Sequence, residues 1–489
     1  MSKRPVIQRL PTGVPGLDAL LGGGLSEFSF NLIAGAPGSG KTTLAHQIMF
    51  ALAQPQRRAI FFTVLGEPPL KMLRYQQQYG FFDAAKVNNS IRFINLADSV
   101  VSGNYKGVLH RIVEEVERFQ PSVVVVDSFR SVVQAAKTAQ RDELDLQQFV
   151  QSLGMLMTTW MATTFLIGEY VALESEANPI FTVADGILWL AQSVERNSMV
   201  RKIQVMKMRG QATIPGLHTF RISNDGVQVF PRTIAKPLAM PSQGSDVHGN
   251  LPPRLSMGVS LLDDLMGGGL PPGYSLLVSG PSGSGKSQLA AAFLAAGAVA
   301  GEKGIIASFE KTPARSHKVR LDELIANGDV GVVDTRALDL SIDETLHALT
   351  ELVERTSATR VVIDSLSGFE LALAPCFRED FKESLYRMIA VLTGLGVAVL
   401  LISELEDRYT DLRFSPSGAA FLTDAIIVQR YVEFKGQLKR VMGVVKVRNS
   451  AHSHDLRPYE ITDEGIVIGK AMPGMDAWLT GHPQLIATR

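Results

Sequence analysis

The sequence predicts an α/β protein of two tandem domains, each a mainly parallel sheet flanked by helices. Three observations predict it. A glycine-rich stretch, Gly35-Ala36-Pro37-Gly38-Ser39-Gly40-Lys41-Thr42, follows a short apolar run from Phe28 to Ala34. It precedes Thr43 to Leu52, where helix formers and apolar residues recur at helical spacing. The same arrangement returns as Gly280-Pro281-Ser282-Gly283-Ser284-Gly285-Lys286-Ser287 after the strand-like run Ser275 to Ser279, and Lys286 minus Lys41 is 245. Downstream of each lies a β-branched run ending in aspartate, Val123-Val124-Val125-Val126-Asp127 and Val361-Val362-Ile363-Asp364. Such runs read as strands buried on both faces of a parallel sheet.

A length of 489 residues exceeds what one core holds. Lys plus Arg and Asp plus Glu each number 48, whereas nucleic-acid binders show a basic excess, so nucleic acid is not an expected partner. The lone Cys376 excludes an intrachain disulfide and a zinc cluster and reads as a small buried hydrophobe. Met1 to Pro5 lacks the apolar centre of a signal peptide, and no apolar run reaches bilayer length. No membrane partner is expected, and the expected location is cytoplasmic.

Taken in order, the repeat begins before the first loop. Thr12-Gly13-Val14-Pro15-Gly16-Leu17-Asp18 recurs as Met257-Gly258-Val259-Ser260-Leu261-Leu262-Asp263, and Gly22-Gly23-Gly24 as Gly267-Gly268-Gly269. The glycine trio reads either as freedom for close backbone approach, to a nucleotide or a neighbouring strand, or as a tight turn. The loops themselves fit G-x-x-x-x-G-K-[ST], in which backbone N–H groups wrap phosphates at a helix N-terminus. Four fixed positions match by chance in roughly one or two per hundred chains of this length. Two matches at one offset make a duplicated nucleotide-binding domain. The residues assigned to ATP are Gly35, Gly38, Ser39, Gly40, Lys41, Thr42 and Thr43, then Gly280, Gly283, Ser284, Gly285, Lys286, Ser287 and Gln288. Lys41 and Lys286 would reach the β- and γ-phosphates, and the Thr42 and Ser287 hydroxyls would bind Mg²⁺.

A second strand, Arg58 to Val64, leads to Gly66-Glu67-Pro68-Pro69 and a helix from Leu70; its counterpart, Gly304 to Phe309, leads to Glu310-Lys311-Thr312-Pro313. An acid at such a strand end sits where ligands bind in open α/β sheets. Glu67 and Glu310 are the candidate catalytic residues, orienting the attacking water; the alternative is a helix cap. Lys311 adjoins Glu310 and blunts its carboxylate, whereas Glu67 has no cationic neighbour before Lys71. Slow hydrolysis is therefore expected mainly in the first domain. Asp127 and Asp364 end their strands as ligands of the magnesium shell.

Next come Thr164 to Gly168, ending in Glu169, and Val397 to Ser403, ending in Glu404. Ala184-Asp185-Gly186-Ile187-Leu188 then matches Thr423-Asp424-Ala425-Ile426-Ile427. Strands from Arg201 to Lys207, Leu217 to Ile222 and Val227 to Phe230 close the first half. They carry Lys207-Met208-Arg209-Gly210, repeated as Lys446-Val447-Arg448-Asn449, and 446 minus 207 is 239. Lys207 with Arg209, and Lys446 with Arg448, face one side of a strand. They read as a phosphate clamp, serving a neighbouring subunit among the possibilities, or as solvated charges on an edge strand. The domains are 1–230 and 255–469, joined by a Pro-, Ser- and Gly-rich linker at 231–254 and followed by a poorly ordered tail at 470–489.

From Thr12 to Ile468 these motifs together resemble the KaiC family, double-domain RecA-like P-loop ATPases typified by the bacterial circadian clock component. The resemblance implies a homohexamer of two stacked rings with ATP between subunits. It also implies that Lys207 with Arg209, and Lys446 with Arg448, reach nucleotide held by the adjacent subunit. A KaiB-like or other signalling protein is the implied partner. The family has two adjacent acids after the second strand, where this chain has Gly66-Glu67 and Glu310-Lys311. Its adjacent Ser-Thr phosphorylation pair falls on Ala420 and Phe421, neither of which has a hydroxyl, with Ser415, Ser417 and Thr423 nearby. Three functions follow: an ATPase that switches partners in a clock or signalling role, a Ser/Thr autokinase, and a DNA-handling motor of the RecA, RadA or DnaB kind.

Overall fold

Strands that alternate their side chains between two covered faces dominate each half of the chain. The computed structural model describes residues 7–63, 69–96, 105–129, 143–170, 179–195, 198–232, 253–309, 319–334, 340–405, 419–434, 436–463, 465–471, 475–476 and 484–485. Glu67, Glu310, Ser415, Ser417 and most of the linker and tail lie outside the described residues. The chain divides into two units, Met1–Arg232 and Thr233–Arg489.

The first unit contains β1 (Phe30–Gly35), β2 (Ala59–Thr63), β3 (Ile91–Asn95), β4 (Val123–Asp127), β5 (Thr163–Glu169), β6 (Gly186–Glu195), β7 (Ser198–Met208), β8 (His218–Ser223) and β9 (Gly226–Phe230). They form one sheet in the order β9-β8-β7-β6-β1-β5-β4-β2-β3. From β3 to β6 the neighbours run parallel, and from β6 to β9 antiparallel. The strand β3 has no counterpart in the sequence reading. Its residues are half-buried, as an edge strand's should be, and they lack the continuous apolar run of β4.

Helix α1 (Lys41–Leu52) covers one face of this sheet; Leu44 and Ile48 pack with Ile33, Phe61, Val125 and Phe165. The other face carries Leu32, Phe62, Val124, Val126 and Leu166. Against it lies α2 (Tyr105–Phe119), whose Val108, Ile112, Val116 and Phe119 form one buried stripe at helical spacing. Next to α2 lies α3 (Glu143–Thr159), which buries Val150, Leu153 and Met157. Odd and even positions of each strand thus serve different cores.

The second unit repeats the plan. Its strands are β10 (Ser275–Gly280), β11 (Gly304–Ser308), β12 (Val330–Asp334), β13 (Arg360–Asp364), β14 (Ala398–Glu404), β15 (Ala425–Phe434), β16 (Gln437–Val447), β17 (Arg457–Thr462) and β18 (Gly465–Ile468). Their order is β18-β17-β16-β15-β10-β14-β13-β11-β12, the first sheet's order shifted by nine. Helix α4 (Lys286–Val299) packs on one face, and α5 (Ile342–Thr356) with α6 (Phe381–Gly394) on the other.

The opening motif proves to be a capped turn. Thr12 donates to Asp18 Oδ1 through its backbone N–H (2.9 Å) and its hydroxyl (2.7 Å). Met257 N–H and the Ser256 hydroxyl bond Asp263 in the same way, at 2.7 and 2.6 Å. The glycine trio is a turn that also brings backbones close: Gly22 and Gly24 have φ of +73° and +114°, and a Cβ there would lie 2.2 Å from Ala212 O or 2.5 Å from Leu10 O of the neighbouring short strand. Cys376 is half-buried rather than buried. Within the tail, Met475–Asp476 pairs with Gln484–Leu485. Among the described residues, no helix is long and apolar enough to cross a membrane.

Candidate nucleotide sites

The first loop leaves β1 at Gly35 and turns into α1 at Gly40, whose φ of +99° suits glycine and aims the helix N-terminus into the loop. Lys41 folds back and donates from Nζ to the Ala36 carbonyl at 2.8 Å. Thr42 Oγ1 donates to Asp127 Oδ2 at 2.7 Å, so β4 delivers its terminal aspartate to the phosphate loop. This happens because β5 alone separates β1 from β4 in the sheet. A cavity of about 540 Å³ opens here, lined on its polar side by Lys41, Thr42, Asp127, Glu169 and Arg201. Phe61, Met72, Tyr79 and Ile222 supply an apolar side.

Burial pushes the Asp127 carboxyl up to about 6, against the opposing pull of the Thr42 hydrogen bond and the Lys41 ammonium. Burial lowers Lys41 too, with Glu169 and then Asp127 acting to restore it. These groups hold one another in a shielded cluster that an added divalent cation and phosphate would neutralise. The Thr42 hydroxyl and Asp127 carboxylate are hard oxygen donors, and Mg²⁺ is held by such donors together with phosphate oxygens. The residues fit the ion. His46, one turn into α1, is fully buried against Phe61 with ring centroids 4.4 Å apart. Burial drops it to about 4 despite its bond to the Thr42 carbonyl, so it is a neutral packing group behind the loop.

The second loop has the same construction. Gly285 has φ of +94°, and Lys286 Nζ donates to Pro281 O at 2.8 Å. Glu404, at the end of β14, lies 4.0 Å from Lys286 Nζ. Asp364 ends β13 in register with Ser308. The strand-end acids Glu169 and Glu404 therefore join the lysine sites, a role their sequence position alone does not reveal. Arg201 also joins from β7, and its Nε is buried without a hydrogen-bond partner among the described residues. Arg440 repeats it, with its Nε in the same condition and 440 minus 201 again equal to 239. The signals available in sequence were the repeated strand-end position of the two glutamates and, for the arginines, the offset of 239.

Lys207 and Arg209 are not in this cavity. The ladder pairs Leu190 with both Gly35 and Ile203 at the loop end of β1, and Gly186 with both Asn31 and Met208 at the other end. Four residues of strand separate these levels, about 13 Å. Lys207 Nζ donates to Thr182 O (2.9 Å) and Phe181 O (3.2 Å), and Arg209 pairs with Asp185 at 3.1 Å. Lys446 and Arg448 repeat this, bonding Ala420 O at 3.3 Å and Asp424 at 3.1 Å. Burial and the adjacent guanidinium lower both lysines, with Asp185 or Asp424 opposing. Each pair thus stands at the end of the strands opposite its own phosphate loop. Beside Lys446, Phe421 is 68% exposed, and the Thr423 hydroxyl is buried.

The family described as "ATPase: KaiC" matches residues 10–234 and again 255–472. The chain is similar to the circadian clock oscillator protein KaiC of Parathermosynechococcus lividus, 26% identical over 98% of this chain and 89% of that protein. It is equally similar to the circadian clock protein KaiC3 of Synechocystis sp. PCC 6803, 26% identical over 98% and 95% of the two chains. The KaiC of Prochlorococcus marinus MIT 9313 is 25% identical over 98% and 96%.

Proposed function

The chain belongs to the KaiC ATPase family, and from that premise we propose that both of its domains bind Mg·ATP at sites completed by a neighbouring copy in a homohexameric ring. The phosphate loops hold the triphosphate, and Thr42 with Asp127, and Ser287 with Asp364, hold the ion, which supplies charge neutralisation on the phosphates. Lys207 with Arg209, and Lys446 with Arg448, approach the phosphates from the next copy. Glu67 and Glu310 orient water, with turnover slow and greater in the first domain. Hydrolysis switches the binding of a cytoplasmic signalling partner, KaiB-like or otherwise, in a clock or related role.

The observation that carries this reading is the opposed placement of loop and Lys-x-Arg pair on each sheet. A head-to-tail contact joins such unlike ends, and repeated rotation closes it into a ring. The autokinase reading has less support, since Ala420 and Phe421 offer no acceptor and Thr423 is buried. Equilibrium binding of ATP with Mg²⁺ tests the proposal. Two nucleotides per chain are expected, falling to one in Lys41→Ala or in Lys286→Ala; one per wild-type chain contradicts it.

A further inference from the structure

The two phosphate loops match in backbone but differ beneath it. Tyr459 on β17 is buried and donates its phenol to the Ser284 carbonyl at 2.6 Å. The Ser284 hydroxyl, also buried, donates to Gln429 Oε1 on β15 at 3.0 Å. With the offset of 239, the first unit has Phe220 in place of Tyr459 and Leu190 in place of Gln429. Neither side chain can hydrogen-bond, and Ser39 Oγ is buried without a partner among the described residues. The first loop has a different brace, Gln192 Nε2 donating to Pro37 O at 3.0 Å.

The location of the Tyr459 bond matters because a peptide's C=O and N–H share one conjugated unit. A donor on Ser284 O polarises that peptide and strengthens the Gly285 N–H as a donor in turn. Gly285 is the glycine before the lysine, where backbone N–H groups meet the phosphates. The Gln192 brace acts on the peptide of Gly38 instead. Burial pushes the Tyr459 phenol well above the ordinary tyrosine value, so it remains a donor.

We propose that Tyr459 and Gln429 are positioning residues that make the second loop the slower to release a nucleoside di- or triphosphate. This rests on the reading that both loops bind nucleotide. One hydrogen bond of this kind corresponds to about a three- to tenfold effect.

The test uses full-length protein and a fluorescent ADP, with Lys41→Ala leaving only the second site and Lys286→Ala only the first. Release from the second site should be about three- to tenfold slower. Adding Tyr459→Phe to Lys41→Ala should remove most of that difference, and Gln429→Leu should remove part. Competition separates positioning from general damage: Tyr459→Phe should weaken inorganic pyrophosphate and leave adenosine unchanged. If either single-lysine variant fails to bind the probe, the two-site reading falls and this proposal with it. If both bind and release at equal rates, only this proposal falls. It also falls if Tyr459→Phe leaves release unchanged, or weakens pyrophosphate and adenosine alike.

Discussion

Single side chains divide the two phosphate loops into unequal members of a duplicated pair. Lys41 and Lys286 are alike in donating to the carbonyl five residues upstream. Phe220 and Tyr459 are not, because one oxygen atom decides whether Ser284 has a donor beneath it. The phenol also sets a pH expectation. Burial raises it above the ordinary value of 10.0, so its contribution is fully present below that value and is lost only as pH rises through the higher folded value. The ratio of release rates between Tyr459→Phe and wild type at the second site should therefore stay constant from about pH 6 to pH 11. Stopped-flow release across that range checks it, and a ratio falling toward one with a midpoint near about pH 10 would show an ordinary, unburied phenol.

Helix and strand junctions differ between the units as well. Arg360 opens β13 and is only 2% exposed. Its Nε pairs with Glu302 at 2.7 Å, and Nη1 donates to Ser256 O and Phe293 O at 2.7 Å each. The guanidinium also lies 4.6 Å from the Phe293 ring centroid, so it ties the entry turn, α4 and β13 together. At the equivalent ladder position the first unit has Val123, which pairs with Ala59 as Arg360 pairs with Gly304. A buried charge stripped of its partner is costlier than a well-packed apolar pair. Arg360→Ala should cost the second unit about 3–5 kcal/mol, and Arg360→Met appreciably less, because it refills the volume. Urea denaturation of the full chain reads both; equal losses for the two variants would mean that packing volume is irrelevant there.

The proposed assembly rests on each sheet having a phosphate loop at one end of its strands and a Lys-x-Arg pair at the other. If each first-domain site takes its loop from one copy and Lys207 with Arg209 from the next, two defective variants should rescue one another. Lys41→Ala and the double variant Lys207→Ala, Arg209→Ala, each in a Lys286→Ala background, should be nearly inactive alone. Random mixing pairs an intact loop with an intact clamp at about one interface in four, so about a quarter of the Lys286→Ala phosphate release should return. No recovery on mixing would mean that loop and clamp act within one chain.

Much of this was present in residue order alone. The phosphate loops are contiguous and their glycines answer to local backbone needs, so Gly40 and Gly285 could be placed before any fold was known. The parallel strands are buried on both faces, which forces an apolar run into a single short window, as in Val123 to Val126. The duplication is likewise a one-dimensional fact. Strand β3 escaped because an edge strand needs no such run. Glu169, Arg201 and Tyr459 escaped for another reason: each reaches a phosphate loop across sheet neighbours far apart in sequence, Tyr459 and Ser284 being 175 residues apart. The end of the sheet at which Lys207 emerges also depends on the antiparallel pairing of β6 with β7 and on its register. Residue order names such groups, but strand order and register bring them to one place, because those are set by packing between segments remote in the chain.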